Sequence, residues 1–165
     1  MPLRATLVLA VLLMAARDCT NRATGADSAS GGGAAAEGSV APADSLVSVA
    51  LSAPTLRRGA PVRVTVTVRN AGASALALET PSGCVTDYEV LDAAGTVVAE
   101  AGLMCLQAIT TTTLAPGQRR DDVFTLSLEG VDGKSLPAGR YRVRGVLPLT
   151  SGPRRSAPVP LEVAP

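Results

Sequence analysis

Three cysteines, two pairs of neighbouring carboxylates and a complete lack of histidine set the limits on the chemistry this chain can perform. Without histidine there is no side chain whose ordinary pKa lies near neutrality, and the commonest metal ligand is missing. A Ser-His-Asp arrangement is therefore impossible, although serines are plentiful. Asp87 and Glu89 stand two apart in a strand-like run and so share a face, while Asp121 and Asp122 are adjacent. Two carboxylates without further oxygen ligands make a poor calcium site, and no histidine or free thiol completes a zinc site. No Gly-rich phosphate loop follows a strand and opens a helix. The expectation is a protein without cofactor or metal, and not an enzyme.

The cysteines point to a compartment. Cys19 follows the opening "MPLRATLVLAVLLMAARDC", in which a short charged segment precedes an apolar run from Ala5 to Ala16. A span of the bilayer needs about 20 apolar residues in a helix, so this run is too short. It fits a secretory signal peptide over 1–18. Cys19 stands where a bacterial lipoprotein carries its lipid, which would give membrane attachment. However, Ala16-Arg17-Asp18 lacks the small apolar residues the lipoprotein peptidase prefers, and cleavage after Ala26 would discard Cys19 instead. Either way Cys84 and Cys105 remain, and an oxidising compartment would join them; two buried free thiols are the alternative. The chain is read as exported: periplasmic, at the cell surface, or anchored by lipid.

Behind these residues lie the elements that must position them. Residues 19–44 are rich in Gly, Ala and Ser with no period and form a flexible tether. From residue 45 to 165 the period becomes two. Val62, Val64, Val66 and Val68 alternate with Arg63, Thr65, Thr67 and Arg69, placing valines in a core and arginines in water. Tyr88 and Val90, then Val97 and Val98 across Ala93-Ala94-Gly95, form a hairpin. Ala115-Pro116-Gly117-Gln118 has proline and glycine where a type II turn requires them. Phe124, Leu126 and Leu128 alternate with Val123, Thr125 and Ser127. Val159-Pro160-Leu161-Glu162-Val163 closes the chain, and its proline predicts an edge strand. Strands spaced this way predict an all-β, immunoglobulin-like antiparallel β-sandwich of seven to nine strands. Gly139-Arg140-Tyr141 resembles a tyrosine corner, with Val143 where antibody domains carry a cysteine.

Aromatic residues make up only 2% of the chain and tryptophan is absent, so partners must be gripped by aliphatic side chains. A formal charge of +1 gives no electrostatic footprint for nucleic acid. Arg140, Arg142 and Arg144 would line one strand face, joined by Arg63 and Arg69, as a solvated face or as a site for an acidic partner or anionic lipid. In Gly102-Leu103-Met104-Cys105-Leu106 a disulfide at Cys105 would stiffen an exposed loop. Leu103, Met104 and Leu106 would then be its partner-binding residues. The commoner reason for such a cluster is that it enters the core with a strand.

The ordered features from Val62 to Val146 resemble the BsuPI-type intracellular proteinase inhibitor domain. They are the Val-rich strand ending at Asn70, the segment Asp87 to Asp92 closing at Gly95, and Met104 with Gln107. Leu114-Ala115-Pro116-Gly117-Gln118 and Leu136-Pro137-Ala138-Gly139-Arg140-Tyr141 follow them. The resemblance implies an immunoglobulin-like sandwich and, after the founding type, inhibition of a subtilisin-like serine proteinase. Here the signs of export and the Cys84/Cys105 pair depart from a cytoplasmic inhibitor. No family motif fixes an inhibitory loop. The competing expectation is a non-catalytic periplasmic or surface module for protein–protein interaction or assembly.

Overall fold

The computed structural model describes residues 46–57, 60–126, 128 and 135–165. The expected leader 1–18, Cys19 and the tether 19–44 lie outside the described residues, as does Ser127.

The strands, in chain order, are β1 (Val47–Leu51), β2 (Thr55–Leu56), β3 (Val62–Arg69), β4 (Leu76–Thr80), β5 (Asp87–Leu91) and β6 (Val97–Glu100). There follow β7 (Thr110–Leu114), β8 (Arg119–Leu126), β9 (Gly139–Leu147), β10 (Arg154–Arg155) and β11 (Val159–Val163). No helix occurs among the described residues. Nine strands have four residues or more; the two-residue β2 and β10 raise the count past the expected seven to nine.

One sheet runs β1-β3-β8, all antiparallel. The other runs β2-β11-β9-β5-β6, with β10 added to β9. A separate ladder pairs β4 with β7. The valine alternation decides which face of β3 turns inward: Val62, Val64, Val66 and Val68 are buried, while Arg63 and Arg69 are exposed. They meet Tyr88 and Val90 of β5, Val143 and Leu147 of β9, and Leu161 and Val163 of β11 in one apolar cluster. The chain approaches closely where Gly145 of β9 meets Val66 of β3. A Cβ placed on Gly145 would lie 2.9 Å from Cγ1 of Val66 and 3.4 Å from the Ser48 carbonyl, so the crossing requires glycine. Tyr88 is fully buried and meets Phe124 edge-on, ring centroids 5.6 Å apart.

The turn chemistry follows the sequence. Gly117 has φ +73° and the Gln118 N–H donates to the Ala115 carbonyl at 3.0 Å, as a type II turn demands. Buried Asn70 ties this turn to the end of β3. Its side-chain amide donates to the carbonyls of Ser74 (2.8 Å) and Leu114 (2.9 Å), and its Oδ1 accepts from the Gly72 N–H. The tyrosine corner is present: the Tyr141 hydroxyl donates to the Pro137 carbonyl at 2.9 Å.

Against the expectation from its proline, β11 is not an edge strand, because β2 and β9 flank it. However, β2 pairs only with Glu162 and Val163. At Pro160 the strand has β9 alone as neighbour, so the missing N–H falls where no second ladder asks for it.

Candidate functional site

The segment between β6 and β7 is held at three places. At its start the Ala101 N–H donates to Asp87 Oδ1 at 3.3 Å, a carboxylate that also accepts the Tyr88 N–H at 2.6 Å. In its middle a disulfide joins Cys105 to Cys84, with Cα atoms 5.5 Å apart. Beside that bridge the Gly83 N–H donates to the Leu106 carbonyl at 2.9 Å. At its end the Thr80 hydroxyl donates to the Thr110 carbonyl at 3.3 Å. Gly102, at φ +64° with open space where a Cβ would stand, turns the chain outward between the first two anchors.

What projects is apolar. Leu103 is 46% exposed, Met104 101% and Leu106 81%. The reading of these three as core residues entering with a strand is therefore corrected. The bridge and the Gly83–Leu106 bond fix the backbone of the segment, and Gly102 turns the chain just before Leu103 and Met104. Ile109 (69%) and Val123 (57%) are the remaining large hydrophobic side chains exposed among the described residues. Four of these five thus belong to one loop. Such a concentration of exposed apolar side chains makes this loop the candidate interaction surface.

The sequence groups Leu103, Met104 and Leu106 in one candidate loop and leaves out Ile109 and Val123. The signal for Val123 was present: alternation with the inward Phe124 and Leu126 sends it to the outer face of β8. Behind Leu103 the loop and β8 enclose a cleft of about 290 Å³, lined by Cys84, Val85, Leu103, Val123 and Phe124. Its polar wall is internally satisfied, with Thr86 Oγ1 donating to Asp122 Oδ2 at 2.8 Å and Arg120 Nε 3.0 Å from the same carboxylate.

The carboxylate pairs are engaged by the protein itself. Glu89 faces Arg144 on β9 and takes Arg155 of β10 at 3.3 Å. Asp121 pairs with Arg119 at 3.0 Å and accepts the Thr67 hydroxyl at 2.7 Å. Asp87 does share its face with Glu89, and burial, with the neighbouring Glu89 adding to it, holds its carboxyl above the ordinary value of 3.8 against the pull of its two backbone donors. Among the described residues no cluster of three or more His, Cys, Asp or Glu side chains could hold a metal ion. The basic stripe is divided. Arg140, Arg142 and Arg144 share the outer face of β9, but Arg144 is bound to Glu89 and Arg140 stands opposite Glu162. Arg63 and Arg69 lie on β3, in the other sheet, and do not extend it.

In comparisons with known proteins, the family profile BsuPI, intracellular proteinase inhibitor, matches residues 49–151. That is more than half of the chain and includes both bridged cysteines and the whole loop. No curated protein matches the sequence. Among solved structures, the alkylpurine DNA glycosylase AlkC of Pseudomonas fluorescens bound to DNA is similar at TM-score 0.45 and 12% identity, covering 73% of this chain and 31% of its own. A β-glucosidase from Listeria innocua in complex with glucose is similar at 0.41 and 15% identity, covering 74% and 16%. The sporulation control protein Spo0M of Bacillus subtilis is similar at 0.42 and 18%, covering 72% and 49%. The chain thus spans less than half the length of each.

Proposed function

We propose, for a chain that belongs to the BsuPI family of intracellular proteinase inhibitors, that this domain blocks a subtilisin-like serine proteinase outside the cytoplasm. The contact is made by the loop Gly102–Leu106. One observation carries the reading: Met104 is fully exposed on a loop that a disulfide, a backbone hydrogen bond and a glycine turn hold in place. Such a loop loses little conformational freedom on entering an active-site cleft, which is where tight inhibitors gain affinity. Leu103 or Met104 would fill an apolar specificity pocket, and Leu106 would cover the rim. The role asks for no catalytic group and no cofactor. A disulfide and the leader-like start favour an oxidising compartment over the cytoplasm. Lipid attachment at Cys19 would hold the domain near a membrane.

The experiment is a titration of a subtilisin-like proteinase by the purified, disulfide-bonded protein against a chromogenic substrate, with intact mass recorded before and after. Stoichiometric loss of activity with the protein uncut supports the reading. Full activity at large excess overturns it.

A second reading, a non-catalytic assembly module, draws on one separate feature. β8 lies at the edge of its sheet and has β3 as its only ladder partner among the described strands. A partner's strand could add there, beside the apolar loop. In that case the proteinase remains active and the partner is not an enzyme.

A further inference from the structure

Methionine occurs three times in the chain, at Met1, Met14 and Met104. Tryptophan and histidine are absent, and Cys84 and Cys105 are consumed in their bridge. Of the two tyrosines, Tyr88 is fully buried and Tyr141 is held by its bond to Pro137. Between residues 46 and 165, Met104 is therefore the single thioether and the side chain most open to a mild two-electron oxidant. It is also fully exposed, on the disulfide-held loop.

We infer that Met104 is an oxidation site through which a peroxide switches off the loop. The inference rests on the loop being the contact with a proteinase. In the step itself the sulfur lone pair attacks one oxygen of hydrogen peroxide and the O–O bond breaks. A sulfur–oxygen bond forms, and the departing hydroxide takes up the remaining proton and leaves as water. Sulfur loses two electrons and the peroxide gains them. The product is polar and chiral where an apolar, flexible side chain stood, so it no longer suits an apolar pocket. The bridge is already oxidised and keeps the loop in place, so the fold is unaffected. A methionine sulfoxide reductase reverses the change.

The test treats the purified, disulfide-bonded protein with hydrogen peroxide and removes the peroxide with catalase before any proteinase is added. Peptide mapping by mass should find one added oxygen within residues 46–165, on Met104. The oxidised protein should inhibit the proteinase roughly tenfold or more weakly than the untreated protein, the scale of losing one buried Met side chain. Treatment with the two epimer-specific sulfoxide reductases should restore it. Met104→Leu, whatever its own starting strength, should titrate identically before and after peroxide. Oxygen mapped to another residue of the domain, or a Met104-oxidised protein that inhibits as well as before, overturns the inference. If the untreated protein inhibits no proteinase, the proposed function itself has failed and the switch falls with it, while mapping still reports whether Met104 is the oxidised residue.

Discussion

Replacing both Cys84 and Cys105 by alanine removes a bridge between residues 21 apart in sequence. In the chain-entropy account, closing a loop of that length in the unfolded state is worth about 3 kcal/mol at 25 °C. For a urea slope of roughly 2 kcal/mol per molar, the unfolding midpoint of the variant should fall by about 1.5 M. A second effect is local. With the bridge gone, the middle of the loop is held by the Gly83 N–H to Leu106 carbonyl bond. One such bond contributes about 1 kcal/mol net, too little to keep the loop in a single arrangement. The Gly83 amide should therefore exchange with solvent much faster in the variant, while amides of β3 and β9 speed only by the loss of global stability. The assay is urea unfolding of wild type and variant, each with and without dithiothreitol, followed by amide exchange. Reductant should move the wild type to the variant's midpoint and leave the variant where it is. Coincident midpoints in the absence of reductant, or a Gly83 amide equally protected in both proteins, would refute the reasoning.

Three further outcomes follow from the packing and the charges. Gly145→Ala drives a methyl group against Val66 and should cost about 1–3 kcal/mol. Combining it with Val66→Ala should cost less than the sum by more than about 0.5 kcal/mol, read from urea midpoints of the four proteins. Because the folded Asp87 carboxyl titrates above its ordinary 3.8, the folded state binds its proton more firmly than the unfolded chain. Its contribution is thus fully present below pH 3.8 and is lost as pH rises through the raised folded value. Asp87→Asn, which keeps an oxygen for the Tyr88 and Ala101 donors, should flatten that part of the stability–pH profile and leave the domain at least as stable at neutral pH. Tyr141→Phe removes the bond to the Pro137 carbonyl and should lower stability by about 1 kcal/mol, read from the urea midpoint.

Where period two is strict, the sequence spoke clearly. The alternation of Val62 to Arg69 determined which face of β3 is buried, and Pro116-Gly117 determined its turn, because both are local steric effects. The corner at Tyr141 was equally legible, since its partner lies four residues away. The position of β11 was not, because the short parallel strand β2 that flanks it lies about a hundred residues earlier. The sequence groups the loop residues together but leaves both surroundings open, an exposed loop or, more commonly, the core. Leu103-Met104-Cys105-Leu106 is apolar enough to be interior, and nothing in its own composition reveals that Gly83 captures Leu106 from across the bridge. The division of the arginines had the same origin: Arg63 and Arg142 look alike in alternation, and only sheet order separates them.

The most direct measurement of the central claim compares the untreated protein with Leu103→Asp and Met104→Asp in the same proteinase titration, with urea midpoints recorded for each. Met104 is fully exposed and contributes little to the fold, so the stability of Met104→Asp should lie within about 0.5 kcal/mol of the parent's. Inhibition should fall by at least roughly a hundredfold, because a carboxylate cannot enter an apolar pocket without loss of its hydration. Variants that inhibit as strongly as the parent would place the contact elsewhere on the sandwich and contradict the account.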